Sequence, residues 1–147
     1  MRALIPLLAL VLPTAVVAET TLIDTGVLPS SVVHEVATLT PLAVTPSGAP
    51  AVLLLDLEAG DVVPPHAAPA GLRLLTVLSG EMSWGDGSRI DETQETVYPA
   101  GSILTLPAGV DHWLAARNGS VRLQLILLDD ETPVPAMAQQ MTAASDQ

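Results

Sequence analysis

The sequence predicts an all-β domain, an antiparallel barrel or sandwich of about eight short strands. Val, Leu, Ile and Thr runs recur between Gly, Pro and Asp punctuation at the spacing of such a fold. The body of the chain carries no convincing helical periodicity. Hydrophobic residues make up 49% of the chain, yet there is no Phe and no Cys, so Leu and Val packing alone must hold the domain together without disulfide staples.

Taken in order, residues 1–18 hold one charge at Arg2, an apolar run and the small-residue ending Val16-Val17-Ala18, the layout of a secretory signal peptide cleaved after Ala18. A membrane anchor fits less well, because the run is shorter than the roughly 20 residues a spanning helix needs and is interrupted by Pro6 and Pro13. The mature protein is expected in the periplasm or outside the cell, with no membrane partner. Residues 19–50 read as an N-terminal arm, with a strand at 32–36 and a Pro-rich loop at 40–50. The barrel is expected over 51–130, with strands at 51–57, 72–78, 81–84, 96–98, 102–106, 112–116 and 121–128. Trp84-Gly85-Asp86-Gly87 and Asn118-Gly119 are hairpin signals. The second also fits a glycosylation acceptor with Ser120, but an Asn-Gly turn accounts for it without a sugar. Residues 131–147 form a tail rich in Pro, Ala, Gln and Ser, in which 135–143 is a candidate short helix.

The formal charge is −11, and the basic residues beyond residue 18 are Arg73, Arg89, Arg117 and Arg122, with no lysine. That balance excludes nucleic acid and anionic lipid surfaces as partners. Most acidic residues fall at expected turns and strand ends, where they keep the surface solvated.

Two motifs carry chemistry. From Gly60 five residues lead to His66, and a strand then closes on Gly80. From Gly101 five residues lead to Pro107, then Gly109 and His112, in the stretch GSILTLPAGVDHW. Together they resemble the paired motifs of the cupin family, over roughly residues 60–128, with the second motif the more specific. The resemblance implies a single jelly-roll barrel, and it implies a homodimer, here through the N-terminal arm. In metal-binding cupins the first motif supplies two histidines and a carboxylate and the second a third histidine, a set suited to a divalent first-row transition metal. Carried over, the first histidine is His66 and the last His112, whereas the second histidine position holds Ala68 and the carboxylate position holds Arg73.

Half of that ligand set is therefore missing, and the acid is replaced by a fixed cation. Two neutral imidazoles alone make a weak metal site. A guanidinium about 5 Å from a divalent ion adds roughly 6 kcal/mol of repulsion at an effective dielectric of about 20, and arginine does not deprotonate to relieve it. Asp111 adjoins His112 and on a regular strand faces the other way. His34 lies on the arm and reads as a surface or packing residue, and the spacing of Glu81 and Glu95 gives no reason to place either inside. Trp113, next to His112, is expected to point away from the cavity into core or interface.

The same exchange suits an anion. If alternation sets Arg73, Leu75 and Val77 on the inner face, a carboxylate meets a bidentate guanidinium and imidazole N–H donors from His66 and His112. Three uses are compatible with these residues. The first is an exported, metal-free module that binds a small carboxylate or sugar-like molecule through Arg73, His66 and His112. The second is a metal-dependent oxygenase, lyase or isomerase holding its metal on His66 and His112. The third is a structural or interaction protein whose own side chains fill the cavity, with Arg73 paired to an interior acid or reaching the barrel mouth.

Overall fold

The computed structural model describes residues 20–128. The expected signal peptide at 1–18 and the tail at 131–147 lie outside the described residues. Its regular structure is almost entirely strand: β1 (Ser31–Val33), β2 (Ala37–Val44), β3 (Pro50–Leu57), β4 (Val62–His66), β5 (Leu72–Ser79), β6 (Glu81–Asp86), β7 (Thr96–Pro99), β8 (Ile103–Pro107), β9 (His112–Ala115) and β10 (Val121–Leu128). They form a six-stranded sheet, β1-β2-β3-β10-β5-β8, and a four-stranded sheet, β4-β9-β6-β7. All pairings are antiparallel. Two antiparallel sheets closing on one core are the jelly-roll arrangement that the sequence predicts. None of the described helices is long and apolar enough to cross a membrane.

The motif glycines sit where the chain changes sheet. Gly80 joins β5 to β6 with φ +79, and a Cβ there would run into the backbone carbonyl of Ser120. No other residue satisfies both the positive φ and that close approach. Gly85 has a different reason: the Trp113 indole lies directly over it, in the space a Cβ would take.

Three expectations are corrected. Residues 40–44 are strand, because Thr40 and Pro41 pair with Leu54 and Leu53; the ladder slips between Pro41 and Ala43, which is how a sheet accommodates a proline without an N–H. Pro64 and Pro65 hid β4, which tolerates them as an edge strand with an irregular ladder between Val63 and His66. Neither hairpin signal marks a tight hairpin. β6 runs on to Asp86, and residues 87–95, including a 3-10 turn at Glu92–Gln94, make a long connection to β7. Asn118-Gly119 does turn the chain, but it joins β9 of one sheet to β10 of the other.

Side chains alternate along each strand, and the inward positions divide the interior in two. Leu57, Val77, Val121 and Leu123 pack into a dry core with Met82 and Ala116. The inward positions toward the opposite ends of the same strands, Leu53 and Leu55, Arg73 and Leu75, Leu125 and Leu127, line a cavity instead.

The arm ends in a tight turn between β1 and β2, closed by the Val36 N–H donating to the Val33 carbonyl at 3.3 Å. Its central residues, His34 (φ 51) and Glu35 (φ 67), are the described non-glycine residues with positive φ. Such a turn matches the twist of a hairpin but normally takes Asn-Gly. Replacing Glu35 by glycine is expected to raise unfolding stability by about 1 kcal/mol, measurable by urea denaturation. An unchanged or lowered midpoint would show that the turn holds no backbone strain.

Candidate functional site

The cavity has a volume of about 320 Å³ and lies between the two sheets. β5 contributes Arg73 and Leu75 to its wall, β4 His66 and β9 His112, while the β1–β2 turn adds His34. The sequence motifs thus bring Arg73, His66 and His112 to one chamber. Ala68, at the second histidine position, is buried but is not part of the cavity wall. Val77 continues the alternation of Arg73 and Leu75 but packs in the dry core.

The two motif histidines are held alike. His66 and His112 are directly paired across β4 and β9. The Nδ1 of His66 lies 2.9 Å from the Pro64 carbonyl, and the Nδ1 of His112 lies 3.0 Å from the Val110 carbonyl. A carbonyl only accepts, so each Nδ1 carries the proton and each Nε2 is left as the ring's free acceptor. Each histidine bonds to the carbonyl two residues before it, a local geometry built into the start of β9 and the end of β4.

The rings form a row. His34 and His66 have centroids 4.4 Å apart, His66 and His112 4.5 Å, and the Trp84 indole stacks on His112 at 4.5 Å with an interplanar angle of 15°. Trp84 is fixed from behind by its Nε1 donating to Asp86 Oδ1 at 2.9 Å. Burial pushes the His112 imidazole below its ordinary range, with the hydrogen bond to Val110 opposing and the charges of His66 and Arg73 adding to the fall. His34 is lowered as well, by burial first and then by His66. Burial thus favours the neutral form of His112 and of His34.

Arg73 is the charge of the chamber. Its Nε is buried and has no hydrogen-bond partner, and among the described residues it makes no salt bridge, whereas Arg117 and Arg122 do. Burial lowers its affinity for a proton, yet arginine stays charged under any physiological condition. The interior acid that might have neutralised it is not found among the described residues.

Among the described residues no group of three or more His, Cys, Asp or Glu side chains is placed to hold an ion, and the guanidinium shares the chamber with the imidazoles. Asp111 is exposed. Glu81 is bonded by Asn118, and Glu95 accepts from Trp113 and Arg117 on the outer side of the four-stranded sheet. Trp113 is buried there, on the opposite face of β9 from His112, as alternation predicts.

His34 is the site residue that sequence reasoning missed. No motif spacing reaches it, and without glycine or asparagine its turn gives no hairpin signal.

No protein-family model and no curated protein matches the sequence. Solved structures do. A predicted oxalate decarboxylase from Thermotoga maritima superposes with a TM-score of 0.57 at 14% identity, over 74% of this chain and 100% of that one. Hydroxypropylphosphonic acid epoxidase from S. wedmorenis gives 0.57 at 23% identity, over 74% of this chain and 59% of that one. A cupin 2 conserved barrel domain protein from Leptotrichia buccalis gives 0.51 at 24% identity, over 63% of this chain and only 41% of that one. At such identities the likeness speaks for architecture alone, and with the paired sheets and the two motifs it is decisive on that point: the chain has the cupin fold.

Proposed function

We propose that the protein is an exported cupin-fold binding module whose cavity captures a small carboxylate without a metal. The observation that carries this reading is Arg73, a half-buried guanidinium in the wall of a partly open, largely apolar chamber with its Nε unpartnered. A buried donor left unbonded is unfavourable by about 1–3 kcal/mol, and a carboxylate accepting from the guanidinium fork removes that penalty while matching the charge. His66 and His112 bound the same chamber, but with each Nδ1–H given to a backbone carbonyl their Nε2 atoms accept, which corrects the expected imidazole N–H donors and leaves the Arg73 guanidinium to hold the bound oxygens. Export is supported by the signal-like layout of residues 1–18.

Calorimetric titration with a panel of organic acids tests the reading. Wild type is expected to bind at least one acid, and Arg73→Ala is expected to weaken it by ten- to a hundredfold, the weight of a charge-assisted hydrogen-bonded contact. Equal responses from the two proteins across the panel would count against it. A metal-dependent reaction, as some proteins of this fold perform, is the alternative. Metal analysis of protein purified without chelators separates the two, since a stoichiometric metal would displace the anion-binding reading.

A further inference from the structure

We infer that the ligand is an aliphatic monocarboxylate, held by Arg73 at its head with its hydrocarbon body laid along a floor of leucines. The inference rests on the carboxylate-binding reading above and narrows it to a chemical class. The polar groups reach the chamber from both sheets and from the arm: Arg73 on β5, His66 and His112 on β4 and β9, and His34 on the β1–β2 turn, with Arg73 near enough to His112 for its charge to act on that ring. The remaining wall is apolar, with Leu39, Leu53, Leu55 and Leu75 joined by Leu125 and Leu127. Those six come from four adjacent strands of the six-stranded sheet, β2, β3, β10 and β5; Pro50 of β3 joins them, and Arg73 is the one charged residue that these strands turn to the chamber.

That distribution excludes other small anions by their chemistry. A sugar acid carries hydroxyls around its whole body, and those beyond reach of the two imidazole Nε2 acceptors would lie against leucines that have nothing to bond, desolvated without compensation. A dicarboxylate would place its second charge on the apolar floor, where arginine is the single fixed cation. A short acid such as acetate satisfies the guanidinium but leaves the floor uncovered. An alkyl chain satisfies both sides at once. About 320 Å³ corresponds to roughly ten water volumes, which suits an acid of about six to eight carbons.

The experiment is a calorimetric titration of the whole mature chain with acetate, butanoate, hexanoate, octanoate and dodecanoate, and with succinate, adipate and hexanol. Trp84, stacked on His112 at the cavity wall, provides a fluorescence readout of the same events. Affinity is expected to rise about fourfold per methylene up to hexanoate or octanoate and to fall for dodecanoate, with adipate at least tenfold weaker than hexanoate. Arg73→Gln should weaken every monocarboxylate by a similar factor and leave the chain-length slope intact. Leu127→Asn should flatten the slope and leave acetate unchanged. If succinate or adipate binds as tightly as hexanoate and Arg73→Gln weakens both, the aliphatic class is wrong while carboxylate binding stands. If hexanol binds as well as hexanoate, or no acid binds, both readings fail together.

Discussion

Replacing Arg73 by leucine is expected to make the protein more stable and unable to bind acids. Arg73 sits on β5 between Leu127 of β10 and Leu106 of β8, its register partners in the six-stranded sheet. Its stem lies beside these leucines in the ladder, but its buried Nε bonds to nothing. Leucine keeps most of the packing and removes the unsatisfied donor and the desolvated charge, exchanges that are often neutral or stabilising in protein interiors. The expected gain is about 1–2 kcal/mol, or roughly 4–8 °C in melting temperature for a domain of this size. Differential scanning calorimetry of the two proteins without ligand, followed by acid titration, reads both halves of the prediction. A residue kept against its own contribution to stability is one kept for a task. A lower melting temperature for Arg73→Leu would mean that the guanidinium has a structural partner, and the site reading would lose its main support.

The fold was legible because its signals are local. Runs such as 51–57, 72–78 and 121–128 alternate or stay apolar within one strand's length, and they correspond closely to β3, β5 and β10. The two Gly, His and Pro motifs mark corners and strand ends, so they also placed Arg73, His66 and His112 in one chamber. What escaped was non-local or masked by proline. β4 looked unlike a strand because Pro64 and Pro65 cannot donate to a ladder, a restriction that matters little on an edge. Residues 40–44 looked like loop for the same reason. His34 escaped because its entry into the cavity depends on two positive φ values and on β2 pairing with β3, neither of which leaves a mark in a single sequence. The long connection 87–95 escaped because its anchor, Glu95, gains its meaning only from partners far along the chain, Trp113 and Arg117.

That anchor gives the second large effect. Glu95→Ala is expected to destabilise the protein by about 3 kcal/mol, the low end of what removing one partner of a buried pair costs. The Glu95 side chain is 7% exposed and accepts three hydrogen bonds, from Trp113 Nε1 at 3.1 Å, Arg117 Nε at 3.1 Å and Arg117 Nη2 at 2.7 Å. Arg117 keeps 27% exposure and a second contact to Glu92 at 3.3 Å, so it is not stranded when Glu95 is lost. The Trp113 N–H is stranded, because the ring itself is buried beneath the connection and over Gly85. The hydrogen bonds from Arg117, and secondarily that from Trp113, hold the Glu95 carboxyl below the usual carboxylate range against the opposing effect of burial. A depressed carboxylate contributes stability that is present at neutral pH and lost as pH falls through that range. Urea midpoints of wild type and Glu95→Ala should therefore stand well apart at pH 7 and draw together toward pH 3. Since Trp113 faces away from the cavity, acid binding at pH 7 should survive in the fraction that remains folded. A pH-independent gap would assign the loss to packing rather than to the ion pair, and a specific loss of binding would show that the outer face of β9 controls the histidine on its inner face.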